Sequence, residues 1–216
     1  MLSFIKAESF KLSKKLKSWL GPLLVMVLVL IAFPLSIDIS QYDLDKFYFF
    51  IIVVSLLMTA FVATEGMFEE DFEDGSLEQE FLKEKDFYKL VISKIFVYVC
   101  LIGIPIALIG ALFSFANGVA IGSFGKVFLL LGLSNLLLFN LFAFGNALSI
   151  NKGALLGVLS SLPLALPVII LLGRAIRSIQ YGDGFFEVVT LMVGIGLMLS
   201  AIMPLIISAT LKTHID

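Results

Sequence analysis

The chain has 216 residues, of which 60 % are hydrophobic and 15 % are charged, and its net charge is −2. Soluble domains are about 45–50 % apolar and about one quarter charged, so this composition excludes a water-soluble enzyme and a disordered chain. The single cysteine excludes an internal disulfide and, with only one histidine present, a Cys-rich metal site. The chain has no excess of basic residues, which excludes the basic surface of a nucleic-acid-binding protein. The composition predicts an all-α integral membrane protein.

The first segment, about residues 2–19, has an amphipathic pattern. Its five lysines lie off an apolar stripe that covers about 100° of a helical projection. The residues of this stripe are Leu2, Ile5, Leu12, Leu16 and Trp19. The pattern predicts a helix that lies in the membrane interface with its apolar face down. The alternative is a basic flank that only sets the topology.

Six further segments are apolar enough to cross a membrane, since a span needs about 20 such residues. They cover about residues 20–37, 47–63, 91–115, 127–150, 154–172 and 186–211. The spans use most of the chain, so residues 1–216 are predicted to form a single transmembrane domain.

The lysines and arginines predict the orientation of these spans. Eleven of the 15 basic residues fall on the side of the N-terminus, and only Lys46, Lys126, Arg174 and Arg177 fall on the other side. Because short cytoplasmic loops are enriched in Lys and Arg, we expect both termini in the cytoplasm.

The cytoplasmic loop at about residues 65–89 is the most informative stretch, and it holds ten of the chain's 17 acids. Phe68 and Phe72 have an i,i+4 spacing, which predicts that the second span continues as a helix beyond the membrane. Gly75 is a plausible end of that helix.

A second short helix is predicted to begin directly after Gly75. Ser76 and Gln79 have the spacing of a capping box, in which each side chain bonds the backbone amide of the other residue. Leu77 and Phe81 then share one face, and we expect both to be exposed. The alternative is a solvated charged loop.

Few polar residues lie within the spans. Asn135 and Asn146 share a face of the fourth span to within about 20°. Small or helix-bending residues recur every fourth position along the sixth span, at Gly196, Ser200, Pro204 and Ser208. Close helix packing explains this pattern, and a transport path is the alternative. No ionisable residue lies near the middle of a span, which argues against an ion-coupled carrier.

No catalytic motif is present in the sequence. The chain lacks a phosphate-binding loop and a His-Glu-x-x-His zinc motif, and its single cysteine excludes a Cys-x-x-Cys pair. We therefore expect a non-enzymatic membrane subunit.

Three motifs carry a resemblance to a known family. They are Phe33–Ile37 (FPLSI), Asp74–Gln79 (DGSLEQ) and Leu162–Pro167 (LPLALP). With the length and the six-span layout, the chain resembles the haem exporter protein B (CcmB) family. This family is the membrane subunit of the ABC-type complex in bacterial system I cytochrome c maturation. The segment Glu80–Asp86 departs from the family pattern, which tends towards Leu and Pro there.

The resemblance implies a fold like that of the ABC-2 exporter permeases and a location in the bacterial inner membrane. It also implies a separate cytoplasmic ATPase, CcmA, and the partners CcmC, CcmD and the haem chaperone CcmE. The implied role is ATP-driven release of haem-loaded CcmE or export of haem itself. A stand-alone carrier or channel and a passive scaffold are the alternatives.

The loop is then the expected contact with the ATPase. We predict that the segment from Asp74 to Phe81 docks into a groove of that subunit. The residues proposed to couple the two subunits are Asp74, Gly75, Ser76, Leu77, Glu78, Gln79 and Phe81. ATP is expected on the ATPase and haem on partner subunits, because the only histidine, His214, lies at the cytoplasmic end of the chain.

Overall fold

The computed structural model describes residues 2–36, 44–83, 87–150, 152–182 and 184–215, and all regular structure in these residues is helical. The helices are α1 (Leu2–Lys14), α2 (Leu16–Ser36), α3 (Leu44–Thr64), α4 (Glu69–Glu73), α5 (Ser76–Lys83), α6 (Tyr88–Tyr98), α7 (Ile104–Ala116), α8 (Ile121–Ser149), α9 (Ala154–Tyr181) and α10 (Phe185–Ile215). A π-helical turn, Val99–Gly103, joins α6 to α7.

The helical segments include five that are long and apolar enough to cross a membrane. They are Tyr48–Glu73, Tyr88–Ala116, Ile121–Ser149, Leu159–Tyr181 and Phe185–His214. The pair Phe4–Lys14 and Ser18–Phe33 passes the same test when taken together, although it bends by 61°, and it raises the count in the described residues to at most six. The chain is therefore an all-α integral membrane protein.

Helix α2 runs beside α3 in the opposite direction. The hydroxyl of Thr59 on α3 donates to the sulfur of Met26 on α2 over 3.7 Å. Further along, the rings of Phe33 on α2 and Phe50 on α3 are 6.3 Å apart. Helix α2 therefore packs along α3 over much of its length.

The spans bring α1 and the end of α10 to one face of the molecule. The Lys212 ammonium on α10 lies 5.3 Å from the centre of the Phe81 ring on α5. At the opposite face, the Lys126 ammonium on α8 lies 5.3 Å from the Phe185 ring on α10. We call the face that carries α1, α4, α5 and the end of α10 the α5 face.

Helix α8 is at the centre of the bundle and packs against α3, α6, α7, α9 and α10. Its middle is buried on all sides, and Leu130, Leu137 and Phe139 are each at most 1 % exposed. A helix that is apolar all round is typical of such a central position.

The third span is interrupted directly before Pro105. Proline has no N–H to donate to the carbonyl four residues earlier, so a regular helix is disturbed at this point. The chain forms the π-helical turn Val99–Gly103 there. The side-chain amide of Asn135 on α8 donates to the Gly103 carbonyl over 2.9 Å. This hydrogen bond ties α8 to the irregular part of the third span.

Two helix ends differ from the sequence prediction. The interfacial helix was expected to reach residue 19, but α1 ends at Lys14 and residues 16–19 belong to α2. The chain bends by 61° at this break, and a continuous helix would not allow that bend. The fifth span was expected to end at Leu172, but α9 continues to Tyr181. The added turns carry Arg174 and Arg177. The predicted span stopped before these two residues because it was defined by apolar composition alone.

Helices α8 and α9 cross at very close range near the α5 face. A Cβ added to Gly145 would lie 2.7 Å from the Gly157 carbonyl oxygen, and one added to Gly157 would lie 2.8 Å from the Gly145 carbonyl oxygen. Small residues let the backbones of membrane helices approach in this way. Neither position has room for a methyl group.

We predict that Gly145→Ala or Gly157→Ala destabilises the protein by about 1–3 kcal/mol, because the new methyl group forces the two backbones apart. Thermal unfolding in detergent measures the effect. Gly132→Ala on the same α8 helix is the control, since an added Cβ there meets nothing within 4 Å. Equal melting temperatures for all three variants would contradict the prediction.

Candidate functional site

The loop that follows α3 forms two short helices on the α5 face. Helix α3 ends at Thr64, and Gly66, with φ +68°, lies in the turn before α4. The second span therefore continues as a helix to Glu73, as predicted, but the turn at Gly66 interrupts it between α3 and α4. A positive φ does not fit a right-handed helix, and the spacing of Phe68 and Phe72 gave no sign of this turn.

Gly75 separates α4 from α5, as the sequence predicts. Its φ of +71° is in the left-handed region, which glycine adopts without the strain that a Cβ brings. The two helices therefore meet at an angle that depends on this residue.

The start of α5 is capped by Asp74 and not by the predicted capping box. The Ser76 N–H donates to the Asp74 carboxylate over 2.9 Å. The Gln79 N–H donates to the Gly75 carbonyl over 3.2 Å, so it is not bonded to the Ser76 hydroxyl as predicted. Hydrogen bonds from the Ser76 side chain and backbone lower the pKa of Asp74, which keeps the carboxylate ionised at the helix N-terminus.

Leu77 and Phe81 were predicted to be exposed anchors, and this prediction is wrong. Leu77 is only 2 % exposed and belongs to the hydrophobic core. Phe81 is half-buried, with its ring centre 5.8 Å from that of Phe87. An amphipathic helix on a protein surface turns its apolar stripe inward, so these residues hold α5 against the molecule.

The outer side of α5 carries three exposed residues. Glu78 and Gln79 are exposed, and Leu82 is 84 % exposed. Among the described side chains of α5, these three residues, and not Leu77 or Phe81, are therefore accessible from outside the molecule.

A buried group of charged residues lies beneath α4. The ammonium groups of Lys11 on α1 and Lys94 on α6 each donate to one carboxylate oxygen of Asp71 on α4. The Lys94 ammonium also lies 3.4 Å from the carboxylate of Glu8 on α1. We call Glu8, Lys11, Asp71 and Lys94 the ion cluster.

The ion cluster is charge-balanced and its centre is buried. The side chain of Lys94 is 3 % exposed and that of Asp71 is 11 % exposed, while those of Glu8 and Lys11 are 20 % and 34 % exposed. Two cations and two carboxylates cancel, and such pairing is required because an unpaired charge at a buried site is strongly unfavourable. Helices α1, α4 and α6 must therefore meet here together.

A second ion pair links α4 to the bend between α1 and α2. The Lys15 ammonium donates to the carboxylate of Glu70. This pair is exposed, with side-chain exposures of 38 % and 57 %. Exposed pairs contribute only about 0–1 kcal/mol, so the buried ion cluster is the stronger link between the helices.

The turn before α4 is also fixed to the centre of the bundle. The N–H of Phe68 donates to the side-chain oxygen of Asn146 on α8 over 3.0 Å. The Phe68 ring is fully buried, and the Lys94 ammonium lies 5.5 Å from its centre. The start of α4 is thereby attached to α6 and α8, while the ion cluster attaches it to α1.

The polar and small residues predicted to lie within the spans make contacts at separate sites in the bundle. Asn135 contacts the third span and Asn146 contacts the loop, so the two amides act at different depths. A Cβ on Gly196 would lie 3.5 Å from the Leu136 side chain, which places this part of α10 against α8. Ser200 and Pro204 line a cavity of about 100 Å³ between α6, α8 and α10, and Ser208 is buried.

The sequence patterns did not predict the ion cluster. Lys11 and Lys94 were counted only among the basic residues that indicate the topology, and Asp71 only among the acids of the loop. Helical periodicity does not connect residues on different helices, so it gives no sign of this contact. One signal was available: Lys94 lies inside the predicted third span, and a lysine there requires a carboxylate partner.

The bundle of apolar spans with a two-helix loop fixed to one face defines a multi-pass membrane protein. The sequence profile of the CcmB protein family matches residues 5–214. The chain therefore belongs to the CcmB family.

Curated relatives agree with this assignment. Heme exporter protein B of Pseudomonas aeruginosa is 31 % identical over 164 residues, which cover 75 % of this chain and 74 % of the relative. Heme exporter protein B of Haemophilus influenzae is 29 % identical over 221 residues, which cover 100 % of this chain and 98 % of the relative. The Escherichia coli K12 protein of the same name is 32 % identical over 89 residues, or 41 % of this chain and 40 % of the relative.

We predict that Asp71→Asn destabilises the protein by about 3–5 kcal/mol, because it leaves the buried Lys94 without its carboxylate partner. Thermal unfolding in detergent measures the loss. Glu70→Gln in the neighbouring exposed pair is the matched control and is expected to cost at most about 1 kcal/mol. If the two variants melt at the same temperature, the ion cluster does not hold α4 in place.

Proposed function

We propose that this chain is the permease-like membrane subunit of an ABC-type complex for cytochrome c maturation. In this proposal a separate cytoplasmic ATPase, CcmA, acts on the α4–α5 loop, and the membrane helices pass the resulting movement to CcmC, CcmD and haem-loaded CcmE. Membership of the CcmB family and the names of the curated relatives support this role.

The attachment of the loop is the observation that carries the proposal. A force on α4 or α5 reaches α1 and α6 through the ion cluster and reaches α8 through Asn146. A solvated loop with no such contacts would move without the bundle. The fixed loop therefore favours a coupling element over a simple connection between two spans.

The exposed part of α5 is the proposed contact with the ATPase. Glu78, Gln79 and Leu82 are accessible, while Leu77 supports the helix from below. Burial of Leu82 in a groove of the partner supplies an apolar anchor, and Glu78 and Gln79 supply polar contacts at the rim.

The orientation follows from the distribution of basic residues. We place the α5 face in the cytoplasm, because 11 of the 15 lysines and arginines lie towards it. The complex then lies in the bacterial inner membrane, and Arg174 and Arg177 at the far end of α9 lie on the periplasmic side.

Haem is proposed to bind partner subunits and not this chain. Axial ligands to haem iron are usually His, Met, Cys or Tyr. His214 is on the α5 face, far from periplasmic haem delivery, and Cys100 lies within the π-helical turn of the third span. ATP is likewise assigned to the ATPase subunit.

Two other functions predict different results. A stand-alone carrier or channel needs no ATPase, so α5 would have no partner. A passive scaffold binds its partners without responding to ATP hydrolysis. The attached loop favours the coupling role over both.

We predict that Leu82→Asp lowers co-purification of CcmA with this chain by roughly tenfold, because a charge replaces the apolar anchor of the contact. Quantitative pull-down from detergent extracts measures it. Thr213→Asp is the control, since Thr213 is exposed at the end of α10 on the same face. Unchanged retention of CcmA by the Leu82→Asp variant would rule out this docking surface.

We predict that a periplasm-active reporter fused after Asp216 is inactive and that one fused in the loop between α9 and α10 is active, because the basic residues place the α5 face in the cytoplasm. Reporter assays in whole cells measure both fusions. Strong activity after Asp216 would show that the proposed orientation is wrong.

We predict that the purified chain without partners shows no stoichiometric low-spin Soret band when haem is added. The only histidine lies on the α5 face, and most of the seven methionines lie within apolar spans, where packing accounts for them. The absorption spectrum of the parent is compared with those of His214→Ala and of single Met→Leu variants. A stoichiometric low-spin band in the parent that one substitution abolishes would refute this part of the proposal.

A further inference from the structure

A groove of about 630 Å³ opens on the α5 face between the start of α2 and the turn that joins α3 to α4. Its walls come from the first turns of α2, near Ser18, and from the end of α3, near Ala63. Glu78, Gln79 and Leu82 are not among the residues that line it, so the groove is distinct from the proposed docking surface on α5.

The groove is strongly acidic. Four exposed glutamates line it, namely Glu65, Glu69, Glu70 and Glu73. Glu70 is paired with Lys15, while the other three have no lysine or arginine within 4 Å among the described residues. Clefts lined by charges of one sign concentrate ligands of the opposite sign, so the groove selects a cation.

The spacing of the carboxylates favours an extended cation over a metal ion. In the described part of the chain, no three of the His, Cys, Asp and Glu side chains are close enough together to hold a metal. Glu69 and Glu73 are four residues apart on α4, so they are separated by about 5–6 Å at their Cβ atoms. Lysines or arginines along a peptide match such a row of separate charges.

A second feature of the groove also points to a ligand. Tyr98 on α6 lines it and is 9 % exposed. No protein acceptor for its hydroxyl is found among the described residues, although buried tyrosine hydroxyls usually have a partner. A hydroxyl at the wall of an open groove is available to a ligand carbonyl, and peptides carry one carbonyl per residue.

We infer that this groove binds a Lys- or Arg-rich segment of a partner protein. The carboxylates supply contacts to the basic side chains, and Tyr98 donates to the peptide backbone. Anionic lipid headgroups are repelled by the same charges, so a protein segment is the fitting occupant. The inference does not depend on the docking of an ATPase on α5.

The test uses the full chain in phosphatidylcholine nanodiscs and a fluorescein-labelled octalysine peptide. Fluorescence anisotropy at low salt measures its binding. Glu69→Gln/Glu73→Gln is expected to weaken binding by roughly three- to tenfold. Tyr98→Phe is expected to weaken it by roughly two- to tenfold, because only the hydroxyl is removed.

Matched variants separate the groove from the rest of the acidic surface. Glu187→Gln removes an exposed carboxylate outside the groove and is compared with the single variant Glu69→Gln, and Tyr181→Phe removes an exposed hydroxyl at the opposite face. Both controls are expected to bind the peptide like the parent. If the parent does not bind, if Glu187→Gln weakens binding as much as Glu69→Gln, or if Tyr98→Phe has no effect, the inference is overturned. The CcmA pull-down with Leu82→Asp tests the proposed function independently of these results.

Discussion

The carboxylate of Asp71, held between the ammonium groups of Lys11 and Lys94, is the constraint on which the α5 face of this protein depends. A single carboxylate at such a buried site would be unfavourable, and so would the buried Lys94 alone. The two buried charges, those of Asp71 and Lys94, each need the other, and the members of the cluster come from three different helices. Helices α1, α4 and α6 therefore have one arrangement in which all charges are paired. Helix α1 is thus part of the loop structure.

The rest of the molecule explains how this face is connected to the membrane spans. Helix α8 packs against five other helices and reaches the loop through the hydrogen bond from Phe68 to Asn146. On its other side, α8 is in backbone contact with α9 through Gly145 and Gly157. At this crossing there is no space for a side chain between the two helices. The loop is thereby joined to the central helix by polar contacts and to the entry bend by ion pairs. This arrangement supports the coupling role that we propose for the loop.

Composition and hydropathy were sufficient to predict the fold class, because the apolar spans dominate the sequence. The loop was predicted less well, and the reasons are physical. Gly75 was identified because a glycine at a helix end acts through its own backbone. The cap of α5 was predicted at Ser76, but it is Asp74, and both residue types suit an N-cap. The spacing of Leu77 and Phe81 correctly defined one face of α5, but spacing does not show whether that face points inward or outward. The ion cluster joins residues far apart in sequence, so the position of Lys94 in a predicted span indicated that it needs a partner but not which carboxylate supplies it.

Hydrogen–deuterium exchange of the Asp71→Asn variant, compared with the parent and with Glu70→Gln, tests most directly whether the ion cluster holds the α5 face together. If it does, the backbone amides of α1 and of α4 exchange faster together in Asp71→Asn, because both helices lose the same anchor. Exchange in α9 is expected to stay at the parent level, and Glu70→Gln is expected to behave like the parent throughout. Unchanged protection of α1 and α4 in Asp71→Asn would contradict the account.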